Sequence, residues 1–246
     1  MRAVPSEREI RVHFIGNMAV RLTDGTHTVV TDFPYESGAF GYMTWLPGRV
    51  PDLRGALALV THGHRDHFAA ELLRPGLTVL GPADVRRGIE GPVLEPGPRV
   101  EWQGLVVRAI PTPHGPLEHC SYLLEWDGHR FYFTGDTEET DALLAQRDLD
   151  AASVSPWLLA SLRKAGRRVD ARAVIVYHHQ ADESVAPWQD ARVPRQGEEW
   201  VVPPRDSSRG MSLREEDVIV PGRDGRCLAG TLTIPVTGRP PFSAAS

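Results

Sequence analysis

Between residues 56 and 67 the chain reads Ala-Leu-Ala-Leu-Val-Thr-His-Gly-His-Arg-Asp-His. The run Ala56 to Val60 is short, apolar and closed by Thr61, the pattern of a buried strand. His62, His64, Asp66 and His67 therefore leave the C-terminal end of that strand on its turn, a rigid base from which side chains converge. Neutral imidazole and carboxylate are the ligands that borderline divalent cations such as Zn²⁺ prefer. A single histidine here would most simply be a solvated turn residue. Three of them at i, i+2 and i+5 around an aspartate point to a metal site instead.

At 246 residues the chain can bury a full core in one domain, or in one domain with an appendage. Its composition is that of an ordinary globular chain, and a formal charge of −5 argues against a nucleic-acid coat or a membrane-surface binder. The basic stretch Arg163, Lys164, Arg167 and Arg168 falls where it complements the dipole at the end of an expected helix. Cys120 and Cys227 lie far apart and form no CxxC, which suits a reducing compartment. Met1 to Arg11 lacks the apolar core of a signal peptide, and no stretch approaches the ~20 apolar residues of a membrane span. A cytoplasmic protein with a small-molecule substrate is expected, its oligomeric state left open.

The first part reads as short strands. Ile10 to Ile15, Ala19 to Leu22 and Thr28 to Thr31 are β-rich, the last two joined across Asp24-Gly25. Further strands are expected at Leu57 to Thr61, Leu77 to Leu80 and Val106 to Ile110, and a hairpin at Cys120 to Trp126 and Arg130 to Thr134 across Asp127-Gly128. Helices are expected to open at His67 to Leu73, after Asp136, and at Ser155-Pro156, where Ser caps, Pro takes the first position and Gly166 stops the helix. Ala173 to Tyr177 is a last buried strand. Mixed strands and helices of this kind suit an α/β layered fold. Residues 1–190 read as one domain. Residues 191–246 read as linker and tail, with Asp217 to Val220 and Leu228 to Ile234 able to pair across Asp224-Gly225.

Four further candidates sit at strand ends: Asp32 after Thr31, His114 after Ile110, Asp136 after Thr134 and His178 after Tyr177. Each alone has a plain alternative: a turn residue for Asp32, a buried hydrogen-bonded imidazole for His114, an N-cap for Asp136. With these residues the chain, over about residues 10 to 185, resembles the metallo-β-lactamase-fold hydrolase superfamily. His62, His64, Asp66 and His67 match its HxHxDH motif, and the later histidine, aspartate and histidine follow in its order. The resemblance implies an αββα sandwich with the site at one edge. It implies that His62, His64 and His114 hold one metal, that Asp66, His67 and His178 hold a second, and that Asp136 bridges them. His178 and His179 are consecutive, so extended backbone would aim only one of them at the site; His178, first off the strand, is preferred and His179 is the alternative. Asp32 matches the aspartate the family places behind the ligands, where it orients an imidazole through its other nitrogen. His13, His27, His119 and His129 match nothing, and His27 and His129, beside hairpin turns, are expected at the surface.

The activity implied is that of a metal-dependent hydrolase with two divalent ions, zinc first and Mn²⁺ or Fe²⁺ as alternatives. A hydroxide held between them attacks, and Asp66 is both ligand and the group that orients the nucleophile and shuttles its proton. Histidine at 64, where the oxygen-reducing di-iron branch carries glutamate, favours hydrolysis over redox chemistry. The segment through Val29 to Pro34 resembles the ascorbate-phosphate lactonase-like branch, although Asn17 follows Gly16 where that branch has histidine. A lactone or other ester is the leading substrate. A phosphodiesterase or nuclease-type activity, or a non-catalytic metal-binding regulatory role, is the alternative. The aromatic loop Tyr35 to Trp45 either walls a pocket or caps the sheet edge. Glu215 to Pro235 is similar to the opening strands of α/β-hydrolase domains, so that the tail would be a fragment of a second domain.

Overall fold

The structure, a computed structural model, describes residues 9–87, 89–205, 213–221 and 227–235, the last two stretches by their backbone. Six strands come first: β1 (Ile10–Gly16), β2 (Ala19–Thr23), β3 (Thr28–Thr31), β4 (Leu57–Leu59), β5 (Thr78–Leu80) and β6 (Val93–Leu94). Six more follow as β7 (Val100–Trp102), β8 (Leu105–Pro111), β9 (Cys120–Trp126), β10 (His129–Phe133), β11 (Leu149–Val154) and β12 (Ala171–Val176). The first sheet is completed by β13 (Glu199–Val202) and has the order β13-β1-β2-β3-β4-β5-β6; the second runs β12-β11-β10-β9-β8-β7. Three helices, α1 (Ala83–Arg86), α2 (Asp141–Leu144) and α3 (Pro156–Lys164), complete the α/β set.

One apolar cluster is shared by both sheets: Phe14, Leu22, Leu57 and Leu59 from the first meet Val107, Tyr122, Leu124 and Phe131 from the second. Each of these side chains is nearly or wholly excluded from water, which contributes on the order of 1.5–3 kcal/mol apiece. Ala58 and Val60 face the other way, against Phe33, Tyr35, Phe68 and Val85. The outer face of the second sheet is covered by Leu143 of α2 and by Leu158, Leu159 and Leu162 of α3. The result is an αββα sandwich in which the first sheet is covered mainly by loops.

Parallel pairing joins β3 to β4 and β4 to β5, and likewise β10 to β11 and β11 to β12. β8 and β10 both run antiparallel to β9, so they share a direction. The C-terminal ends of β3, β4, β8, β10 and β12 are the points from which the candidate ligands leave the sheets.

Several expected elements are shorter. The helix expected from His67 to Leu73 is a single 3₁₀ turn, Ala70–Leu72, because the Ala69 amide is taken by the Pro34 carbonyl and Pro75 follows. After Asp136 the chain forms the one-turn α2. α3 is as expected: Ser155 Oγ accepts from the Leu158 amide at 3.3 Å, Pro156 opens the helix, and Gly166 lies beyond its end at φ +64°. His129 is fully buried and its Nδ1 lies 3.4 Å from Asp150, while His27 is half-buried with its ring edge-to-face on Trp126. Both were expected at the surface; the strand pairing beside each turn folds them inward.

The compact unit holding both sheets runs to Pro204, past the boundary expected at 190. The reason is β13, whose Trp200 and Val202 pack on the core while its backbone pairs with Ile10 to His13. Beyond it, β14 (Leu213–Pro221) and β15 (Cys227–Pro235) pair antiparallel in a second unit. The Asp224-Gly225 turn, residues 206–209 of the expected linker and the last residues of the tail lie outside the described residues. Among the described residues, no helix is long and apolar enough to cross a membrane.

A chain ending at residue 190 should unfold in urea at a lower midpoint than one ending at Pro204, losing on the order of 2–3 kcal/mol with the half-buried Trp200 and Val202. Equal midpoints for the two truncations would show that β13 contributes nothing.

Candidate metal centre

The turn after β4 places four of the candidates together, and its glycine lies close against α1. A Cβ on Gly63 would come 2.5 Å from the Asp84 carboxylate, so a side chain there would have to displace that of Asp84. His114 arrives from the loop after β8, Asp136 from the turn after β10 and His178 from the exit of β12.

Among the described residues, two groups of ligand-type atoms converge within 4.8 Å: His62, His64, His114 and Asp136, and Asp66, His67, Asp136 and His178. In the first, His64 Nδ1 lies 2.8 Å from His62 Nε2 and 3.4 Å from His114 Nε2. Asp136 Oδ2 reaches this group at 3.9 Å from His62 Nε2 and the second group at 3.2 Å from His67 Nε2. His178 Nε2 is 3.1 Å from Asp136 Oδ1, 3.3 Å from Asp66 Oδ2 and 3.2 Å from His67 Nε2. His179 points elsewhere. Its ring stacks on Phe14 and its Nδ1 meets the Gln180 carbonyl.

The donor set fits divalent cations. One proton can satisfy one nitrogen–nitrogen contact, yet His64 Nδ1 is approached by two imidazole nitrogens. Asp66 Oδ1 is buried without a hydrogen-bond partner. Lone pairs gathered in this way, three imidazoles and a carboxylate in one group and two of each in the other with Asp136 shared, are compatible with a dinuclear metal site.

Charge sets His62 and His64 apart from His67 and His178. Burial, then neighbouring imidazoles, holds His62 and His64 below the ordinary histidine range, so they are neutral. Burial also opposes charge on His67 and His178, but nearby carboxylates outweigh it. Asp136 and Asp32 raise His67 well above 6.5, and Asp136 and Asp66 raise His178. Asp136 is itself pushed up by burial, and the charges and hydrogen bonds of His67 and His178 more than reverse this, leaving it well below 3.8.

Behind the ligands, Asp32 is wholly buried. Its Oδ1 accepts the Thr61 amide at 2.7 Å and the Thr61 hydroxyl at 3.0 Å, and its Oδ2 lies 3.4 Å from His67 Nδ1. Thr61 Oγ1, having given its proton to Asp32, stands 3.1 Å from His62 Nδ1 and can accept from it. One carboxylate and one hydroxyl thus turn two rings so that their Nε2 atoms face inward. Asn17 ties the edges together: its carbonyl accepts the His178 amide at 2.8 Å and its Nδ2 donates to the Asp66 carbonyl at 2.7 Å.

No local sequence pattern marks Thr61 or Asn17, because their work is done through groups far away in the chain. His119, which matches no motif, is buried beside the first group, 5.2 Å from His62 between ring centroids, and burial pulls it down to about 3. Residues of the aromatic loop lie both against the first sheet and beside the candidate ligands. Phe33, Tyr35 and Trp45 pack on one another as a cap, while Tyr42 lies 4.1 Å from the His178 ring and Phe40 6.5 Å from that of His64. Trp157 flanks His178 from the other side at 5.0 Å.

A family profile described as a beta-lactamase superfamily domain matches residues 41–195. A UPF0173 metal-dependent hydrolase from Methanocorpusculum labreanum is 30% identical over 97 residues, 33% of this chain and 44% of that protein. A hydroxyacylglutathione hydrolase of Pseudomonas aeruginosa is 41% identical over 81 residues, 32% of this chain and 31% of that one. The matched stretch thus spans less than half of either relative. The metallo-beta-lactamase fold protein YhfI from Bacillus subtilis superposes with a TM-score of 0.58 at 14% identity, covering 79% of this chain and 99% of that one, a likeness of fold.

The charge pattern sets a pH dependence. With a chelator present, His67 contributes stability that is complete below its ordinary 6.5 and fades as pH rises through its raised value. Asp136 contributes stability present above 3.8 and lost as pH falls through its lowered value. Chelated protein should therefore lose thermal stability from pH 6.5 upward. Zinc-loaded protein should gain it, because a metal takes the neutral imidazole. Melting curves from pH 5 to 9 with and without zinc test this; parallel curves would overturn it.

Proposed function

The chain belongs to the beta-lactamase superfamily, and from that premise we propose that it is a dinuclear metal-dependent hydrolase acting on a lactone or other ester. The observation that carries the reading is Asp136, whose carboxylate belongs to both ligand groups at once. His62, His64 and His114 would hold one ion and Asp66, His67 and His178 the other, with Asp136 between them. Two divalent cations bound there supply Lewis acidity and a water acidified to near neutral pH.

The rest is done by the protein's own side chains. Asp66 presents Oδ2 to His67 and His178 and leaves Oδ1 buried and unpartnered, free to orient the attacking water, take its proton and return it to the leaving oxygen. The Tyr42 phenol is pushed up to about 12, first by burial and then by Asp136 and Asp66, so it stays protonated and can donate to a substrate oxygen at the rim. Phe40, Tyr42 and Trp157 offer apolar faces beside the half-exposed His64 and the buried His178, which suits a substrate with an apolar or ring-shaped acyl part. The relative's name, a hydrolase of hydroxyacylglutathione, supports an acyl substrate over a phosphodiester. Zinc is the first metal to try. Buried, unpaired Cys120 fits a reducing cytoplasm.

Elemental analysis should find about two metal ions in the wild type and fewer in Asp136→Ala. Turnover of aryl esters and lactones should exceed that of bis-aryl phosphodiesters, and Asp66→Ala should lower kcat by about 10²–10⁴. A wild type that holds no metal, or turnover that survives in Asp66→Ala, would sink the reading.

A further inference from the structure

His119 belongs to neither ligand group, yet the turn that carries Asp136 rests on it. The residue stands just ahead of β9 with its ring 5.2 Å from His62 and 5.5 Å from His114. Its Nε2 accepts the Asp136 amide at 3.0 Å, and its Nδ1 lies 2.8 Å from Thr112 Oγ1. The proton positions along this line are forced. A backbone amide only donates, so Nε2 is bare and the neutral ring carries its proton on Nδ1. At the far end, Ser121 Oγ donates to the Thr134 carbonyl at 2.7 Å, so it accepts from Thr112 Oγ1 at 3.0 Å. Thr112 Oγ1 in turn accepts from His119 Nδ1. The line begins at Asp136 and ends at Thr134, on the two sides of Gly135.

Gly135 shows how tight this support is. Its φ is +62°, and a Cβ there would come 2.2 Å from His119 Nε2. Its amide donates to the Tyr177 hydroxyl at 2.7 Å, so both amides of the turn end on buried side chains. With Nε2 spent on the Asp136 amide and Nδ1 on Thr112, His119 has no nitrogen left for a metal.

Resting on the dinuclear reading above, we infer that His119 is a positioning residue for Asp136. Its bare Nε2, fixed by Thr112, Ser121 and the Thr134 carbonyl, sets the peptide from which the Asp136 carboxylate spans both ligand groups. Loss of the acceptor frees that peptide and weakens the group that needs the bridge, while a different acceptor at the same place restores it.

The test uses the full chain as wild type, His119→Phe, which keeps a ring and loses the acceptor, and His119→Gln, which offers a carbonyl acceptor without the ring. Zinc affinity is read by chelator competition, and site geometry by the visible spectrum of the Co²⁺-loaded protein. The proton on His119 is read by imidazole ¹⁵N shifts. The wild type should show His119 protonated on Nδ1 and bare on Nε2. His119→Phe should bind zinc about 10–100-fold more weakly with an altered Co²⁺ spectrum, and His119→Gln should recover most of both. Wild-type affinity and spectrum in His119→Phe, no recovery in His119→Gln, or a proton on Nε2 in the wild type would each overturn the inference. If His119→Phe does not fold, the ¹⁵N shifts and His119→Gln decide alone. A wild type that binds no zinc would sink the dinuclear reading instead, leaving the ¹⁵N shifts to judge the role of His119.

Discussion

The carboxylate of Asp136 is the point on which the site's organisation depends. It lies within 4 Å of His62 in one group and of His67 and His178 in the other, and it supplies negative charge to a place where six candidate ligand side chains crowd together. Burial alone would push that carboxyl towards its neutral form. The imidazoles reverse this, and in return Asp136 raises His67 and His178. Burial and neighbouring imidazoles instead hold His62 and His64 below the ordinary histidine range. One acid thus stands between histidines that share residue type but are shifted in opposite directions.

Holding such a group in place uses backbone conformations that ordinary residues avoid. Asp32, Asn17 and His178 leave their strands at φ values of 40°, 51° and 54°. Conformations of this kind cost on the order of 1–3 kcal/mol each and persist only where the surroundings over-determine them. Here the surroundings do. Asp32 is fixed by Thr61 and by the Leu59 carbonyl, and Asn17 and His178 are fixed to each other. The rigid sandwich beneath absorbs the strain, since each of these residues sits at the end of a strand buried between packed layers.

Much of this architecture is legible in the sequence. The buried strand at Leu57 to Leu59, the capped helix at Pro156 and the hairpin of β9 and β10 follow from period, cap and turn chemistry that act over a few residues. Trp200 and Val202 do not read as part of the first sheet, because a short strand after a polar, proline-bearing stretch gains its place only from pairing with Ile10 to His13 at the other end of the chain. The helix expected at His67 is cut short for the same kind of reason. The amide of Ala69 finds a partner in Pro34, and no local pattern records that.

The sequence by itself determined the chemistry: which residues carry lone pairs, that they stand at strand ends, and that their order matches one superfamily. Those properties are local, written in residue type and spacing. The tertiary structure alone decided which of His178 and His179 faces the site, that His119 lies under the Asp136 turn, and that Asn17 links Asp66 to His178. Each of these depends on hydrogen bonds between groups far apart in the chain, and only the packing of the two sheets brings such groups within 3 Å.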